Sequence, residues 1–285
     1  APVLRIGSVA KKLAVLAILA PALAGCAGTG FSSGLFSGGE PETPFGAYLA
    51  GRHAASVNDN LKAADYYDKA LAGEPDDPVI LDRAFMSALV GGDMDRAIRL
   101  AKKLVAHDAG ERMPRLTLAL ADLKRGDYAG AREEIAAAAP GPFTALVGTL
   151  TDAWAAVGEG NRELALERIG AFEGRAAFAL FRSFHEALML EVLGDDEGAG
   201  KAYAEAMETS GGGSIRIVEA YASYLQRQGR TDEARAVIES FMEISPEHPL
   251  ATDALARLNR GETLPPLVAN AAEGTAEALY GLGSA

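Results

Sequence analysis

The sequence predicts an all-α solenoid, a run of helix–turn–helix units without a sheet, and three observations predict it. A ladder of small residues, Ala63, Ala97, Ala131, Ala165, Ala199 and Ala234, recurs at intervals of 34, 34, 34, 34 and 35 residues. Five residues before each rung stands a turn former: Asn58, Gly92, Gly126, Gly160, Gly194 and Gly229. A fixed period of this length marks repeats that bury their apolar faces only against their neighbours. The composition agrees, because 49% of residues are apolar but only 7% aromatic, and alanine supplies much of the apolar share. Ala, Leu, Glu and Arg are strong helix formers.

At the N-terminus, Arg5, Lys11 and Lys12 precede an apolar run from Leu13 to Leu23 broken only by Pro21. The run is shorter than the ~20 apolar residues of a membrane-spanning helix. A positive stretch, a short apolar stretch and then small residues is the layout of a secretory signal peptide. The run closes on Leu23-Ala24-Gly25-Cys26, and Cys26 is the chain's only cysteine. This resembles the lipobox of bacterial lipoproteins. The resemblance implies a signal peptide over 1–25, cleavage before Cys26, and acyl chains on its thiol that anchor the protein to a membrane. Ala27 follows, where Asp would imply retention in the inner membrane, so the implied location is the outer membrane, periplasmic side.

A lone cysteine excludes an internal disulfide framework and a thiolate metal cage. Removing 1–25 would take away three positive and no negative charges, moving the net charge from −12 to −15. So acidic a chain repels phosphate backbones, and nucleic acid is not an expected partner. Residues 26–45 are rich in Gly, Ser, Thr and Pro, lack helical periodicity, and read as a flexible tether.

Residues 46–260 hold about six repeats. The turn formers suit a helix-ending left-handed position, since Gly has no Cβ and Asn tolerates that region best among the rest. Acidic residues follow several of them, as in Gly92-Asp93, Gly126-Asp127 and Gly194-Asp195, where they favour the positive end of the next helix. Upstream, Met86, Leu120, Trp154 and Leu188 stand 34 apart. Leu116, Ala119, Leu120 and Leu123 have the i, i+3, i+4, i+7 spacing of an amphipathic helix. Trp154, the only tryptophan, is either core or an anchor in a binding groove.

The second helix of the first unit reads Ala63-Tyr67-Ala70-Pro75, and Pro246 closes the sixth unit in the same way. This resembles the tetratricopeptide repeat (TPR). The second small residue is replaced by Leu104, Phe172 and Phe241, and the Leu-Gly pair of the first helix survives best as Gly51. The resemblance implies a TPR-type α-solenoid, a right-handed superhelix of antiparallel helix pairs. A protein or peptide partner would lie in its concave groove, lined by the first helix of each pair.

No catalytic constellation emerges. His185-Glu186 begins a helical zinc motif, but Met189 occupies the second ligand's place, and Gly200-Lys201 lacks the rest of a phosphate loop. No cofactor and no metal are expected. The function read from the sequence is a lipid-anchored, periplasm-facing scaffold. The alternative is a non-enzymatic part of a polysaccharide-export, pilus or secretion apparatus.

Past residue 260 the phase breaks. A linker over Gly261–Pro266 and a new helix from about Leu267 are expected. Ala278-Leu279-Tyr280-Gly281-Leu282-Gly283 resembles the opening of a further TPR, so residues 261–285 read as a linker and the start of a truncated repeat. A terminal helix without a partner should be the least well packed part of the body.

Overall fold

The computed structural model describes residues 41, 43–172 and 178–284. Contacts divide the chain after Thr43 into two units. The signal peptide, Leu23, Ala24, Gly25, Cys26 and nearly all of the tether lie outside the described residues. Among its described residues the second unit contains fourteen helices and no strand.

Six helix pairs come first: α1 (Pro44–Ser56) with α2 (Asn60–Leu71), α3 (Pro78–Val90) with α4 (Met94–His107), and α5 (Arg112–Lys124) with α6 (Tyr128–Ala137). They continue with α7 (Pro142–Gly158) and α8 (Arg162–Gly170), α9 (Ala179–Val192) and α10 (Asp196–Thr209), and α11 (Ile215–Arg227) and α12 (Thr231–Ile244). Two helices remain, α13 (Pro249–Asn259) and α14 (Ala271–Ser284).

The turn inside each pair is one device repeated. In the second pair the Gly92 N–H donates to Leu89 O at 3.2 Å and the Asp93 N–H to Ala88 O at 2.9 Å. The same two bonds recur in the other five turns, from Asn58 and Asp59 to Gly229 and Arg230. This Schellman arrangement needs a left-handed residue at its corner. Asn58, Gly92, Gly126, Gly160, Gly194 and Gly229 supply it, with φ between 61° and 80°. The next residue caps the second helix: side-chain oxygens of Asp59, Asp93, Asp127, Asn161 and Asp195 accept from the backbone N–H three residues on. Such a cap typically contributes about 1 kcal/mol. Arg230 has no acceptor to offer, and α12 starts without a side-chain cap.

The alanine ladder runs up the second helices, and all six rungs are 0% exposed. An alanine there leaves no bulk between helix axes, so neighbouring helices approach closely. Larger residues seven positions further along, about two turns, fill what remains; Leu104, Phe172 and Phe241 are all buried.

The C-terminal stretch departs from expectation. Helix α13 ends in the same Schellman turn, with Gly261 at φ 70° and bonds from Gly261 and Glu262 to Leu258 O and Arg257 O. No second helix follows, because Pro265 and Pro266 push the residues before them out of the helical region. Helix α14 starts at Ala271 rather than near Leu267. A capping box sets the start: Asn270 Oδ1 accepts from the Glu273 N–H at 3.0 Å, and the Glu273 carboxylate reaches back to the Ala269 N–H at 2.8 Å. Nor is this stretch the least packed part of the body. Leu264, Val268, Ala271, Thr275 and Ala278 are all buried, and α14 packs on α5, α7 and α9.

Candidate binding groove

The face that receives α14 is built by first helices only, α5, α7 and α9, with α11 beside them. Counting back from each turn glycine picks out its lining. Six residues before the turn stand Met86, Leu120, Trp154, Leu188 and Ser223; nine before it stand Arg83, Thr117, Thr151 and His185. At the nine-back position Arg83 is exposed, whereas Thr117, Thr151 and His185 are 2%, 1% and 1% exposed. At the six-back position Met86 and Leu120 are half-buried and Trp154 and Leu188 fully buried. Equivalent positions thus differ in exposure along the wall, and the covered ones lie where α14 packs. Among the described residues, no helix covers the wall from α1 to α3 in this way.

Trp154 is core, the first of the two readings its sequence position allowed. It is wholly buried, and its ring lies flush against Gly274 of α14, where an added Cβ would come within 2.3 Å of the ring. His185 meets its edge at 6.1 Å in a T-shaped contact and sits 4.3 Å from the Phe181 ring centre. Burial among these rings pushes the His185 imidazole down to about 3. With Met189 beside it on the apolar wall, His185 has no second ligand, and no cluster of three or more His, Cys, Asp or Glu among the described residues could hold a metal.

At its other end the groove reads a main chain. The Gln226 amide donates to Glu262 O at 2.9 Å and accepts from the Leu264 N–H at 2.7 Å. The Ser223 hydroxyl donates to Pro265 O at 2.6 Å, with Leu264 O at 3.0 Å. Arg227 donates to Ser223 Oγ and pairs with Glu191 of α9, so the hydroxyl is held in position from behind. Arg216 grips the Glu277 carboxylate with two nitrogens and lies 5.7 Å from the Tyr280 ring centre. Ser223, Gln226, Arg216 and Glu277 escape a reading of the sequence because their partners are 36 to 61 residues away. Its six-residue offset from Gly229 does mark Ser223 as groove-facing.

The described residues include no helix long and apolar enough to cross a membrane. A cleft of about 290 Å³ opens between α11, α13 and residues 264–267, bordered by Arg216, Glu219, Asp253 and Arg257.

Residues 215–258, covering α11, α12 and most of α13, match the family model of the tetratricopeptide repeat. No curated protein matches the sequence. Among solved structures, the chain is similar to PilW, described as a widely conserved type IV pilus biogenesis factor. That match has a TM-score of 0.55 and 10% identity, covering 74% of this chain and 98% of PilW. A tetratricopeptide repeat protein from Parabacteroides merdae is similar at a TM-score of 0.54 and 12% identity, over 78% and 87% of the two chains. Identities so low speak to fold alone. The repeated Schellman turns, the buried alanine ladder and these matches agree that the chain has the all-α, TPR-type solenoid fold.

Proposed function

We propose that the protein is a lipid-anchored, periplasm-facing scaffold of the cell envelope that binds partner proteins through the wall of its first helices. The observation that carries the binding part is the groove's occupant: an extended run and a helix, held by backbone hydrogen bonds, a bidentate ion pair and close apolar contact. A wall that recognises one peptide in this way is chemically suited to others. The anchoring part rests on Leu23-Ala24-Gly25-Cys26. Several acyl chains together hold firmly where one anchors only marginally.

Both parts are testable in intact cells. A labelled fatty acid should mark the wild type and not Cys26→Ser; label on the serine variant, or a wild type recovered as soluble protein, would refute the anchor. Photocrosslinkers at Arg83 and Met86 should capture one and the same envelope protein, and one at Glu133, exposed on the second helix α6, should not. Equal capture from all three positions would refute the groove as the docking wall. A narrower reading places the scaffold in pilus assembly. It is favoured by the role given to the similar PilW fold, and loss of piliation on gene deletion is its test.

A further inference from the structure

We propose that residues 262–284 are a built-in competitor for the groove. The partner that replaces them is a peptide of the same chemistry: an extended, proline-containing run followed by a small-faced helix that carries a carboxylate for Arg216. This rests on the reading of the first-helix wall as a docking site and specifies its ligand and its control.

The strap uses the groove as a foreign peptide would. Its first half is neither helix nor strand, and Gln226 bonds both an N–H and a C=O of it, which is how a side chain reads a backbone whatever its sequence. Ser223 takes the carbonyls of Leu264 and Pro265. A proline run pre-sets the extended conformation, so little freedom is lost when it docks. Leu264 and Val268 supply buried apolar anchors.

The second half is helical and specific in shape. Ala271, Gly274, Thr275 and Ala278 fall at i, i+3, i+4 and i+7 and form the buried face. Only a face of small residues lets the helix backbone lie against Trp154, as the 2.3 Å approach to a hypothetical Gly274 Cβ shows. Glu277, 8% exposed, then meets Arg216 through paired bonds, fixing the helix's register along the groove. Gly274 lies against Trp154 near the end of α7, while Gly281 lies against Phe181 in the first turn of α9. The helix therefore runs opposite to the first helices and spans the width of the wall.

Release would uncover part of the apolar core, since Leu264, Val268, Ala271 and Ala278 pack in one cluster with Trp154 and Leu188, but it would leave the repeat turns in place. No turn or cap of the six helix pairs depends on residues 262–284, and the strap follows directly on the Schellman turn at Gly261.

The test uses the full chain and a fluorescent synthetic peptide with the sequence of residues 262–284. Gly274→Leu should drive the strap off Trp154, and Glu277→Arg should set two positive groups against each other; each keeps the groove wall intact. Both variants should bind the peptide at least tenfold more tightly than the wild type, whose own strap competes at high effective concentration. Emission of Trp154, the only tryptophan, should shift to the red in the free variants and return when peptide binds. A peptide that itself carries Gly274→Leu should not bind. If Gly274→Leu misfolds, Glu277→Arg carries the same comparison. Equal affinity of wild type and variants, absence of binding to both variants, or unchanged Trp154 emission in both would overturn the proposal. Capture of an envelope protein by the uncovered wall of α1–α3, unaffected by either variant, would overturn it while leaving the scaffold reading intact.

Discussion

Replacing Trp154 by Ala is expected to destabilise the protein by about 3–5 kcal/mol, the usual cost of removing a large buried aromatic side chain. Trp154 is among the largest wholly buried side chains, and it closes two interfaces at once. One is the groove wall, where it meets His185 edge-on at 6.1 Å; the other is the seat of Gly274. Truncation leaves a void that neither α7 nor α14 can fill by small shifts, because each is pinned by its own repeat contacts or by the Arg216–Glu277 pair. Trp154→Phe should cost clearly less. It keeps most of the ring contact, and the indole Nε1 it removes has no hydrogen-bond acceptor among the described residues. Urea denaturation of the three proteins measures both numbers. A loss near 1 kcal/mol for the alanine variant would mean that the ring is peripheral to the core.

Stability is expected to fall as the solution is acidified, with His185 responsible for a large part of the drop. The imidazole is buried among the rings of Trp154, Phe181 and Phe184, and burial pushes it down to about 3. An unfolded histidine titrates near 6.5, so below that pH the unfolded chain takes up a proton that the folded chain refuses. The contribution is complete above about pH 6.5 and is lost as pH falls from there toward 3. Each pH unit in that window is worth about 1.4 kcal/mol, so two units below pH 6.5 the loss is about 3 kcal/mol. The nearby charges on α9, Arg182 and Glu186, pair with each other at 2.7 Å. Midpoints of urea unfolding between pH 7 and 4.5 should fall more steeply for the wild type than for His185→Gln, with carboxylate titration common to both. Parallel curves would show that the imidazole is already accessible to protons in the folded protein.

The repeat was legible because its determinants are local. A glycine at φ near 75°, an acid that caps the next N-terminus, and an alanine at a helix crossing all recur within one 34-residue window, so counting finds them. The strap was not legible, for two different reasons. Its start was misplaced because the Asn270–Glu273 capping box outweighs the apolar Leu267 and Val268 that precede it. Its docking was hidden because the buried face of α14 is made of Ala, Gly and Thr, which carry no strong apolar signal. Its complement, Trp154, lies 120 residues away from Gly274 in sequence. Separations of 61 and 36 residues likewise concealed Arg216 and Gln226, which look like solvated helix residues until the strap is beside them.

Hydrogen exchange across α14 tests most directly whether the groove is occupied by the chain's own strap. Amides of residues 275–284 should be protected to an extent approaching those of α9, because the helix is fastened to α5, α7 and α9 by burial and to α11 by an ion pair. Glu277→Arg should abolish that protection while leaving the amides of α6 and α8, around Ala131 and Ala165, unchanged. Exchange of wild-type residues 275–284 at the rate of an unstructured peptide would contradict the occupied groove.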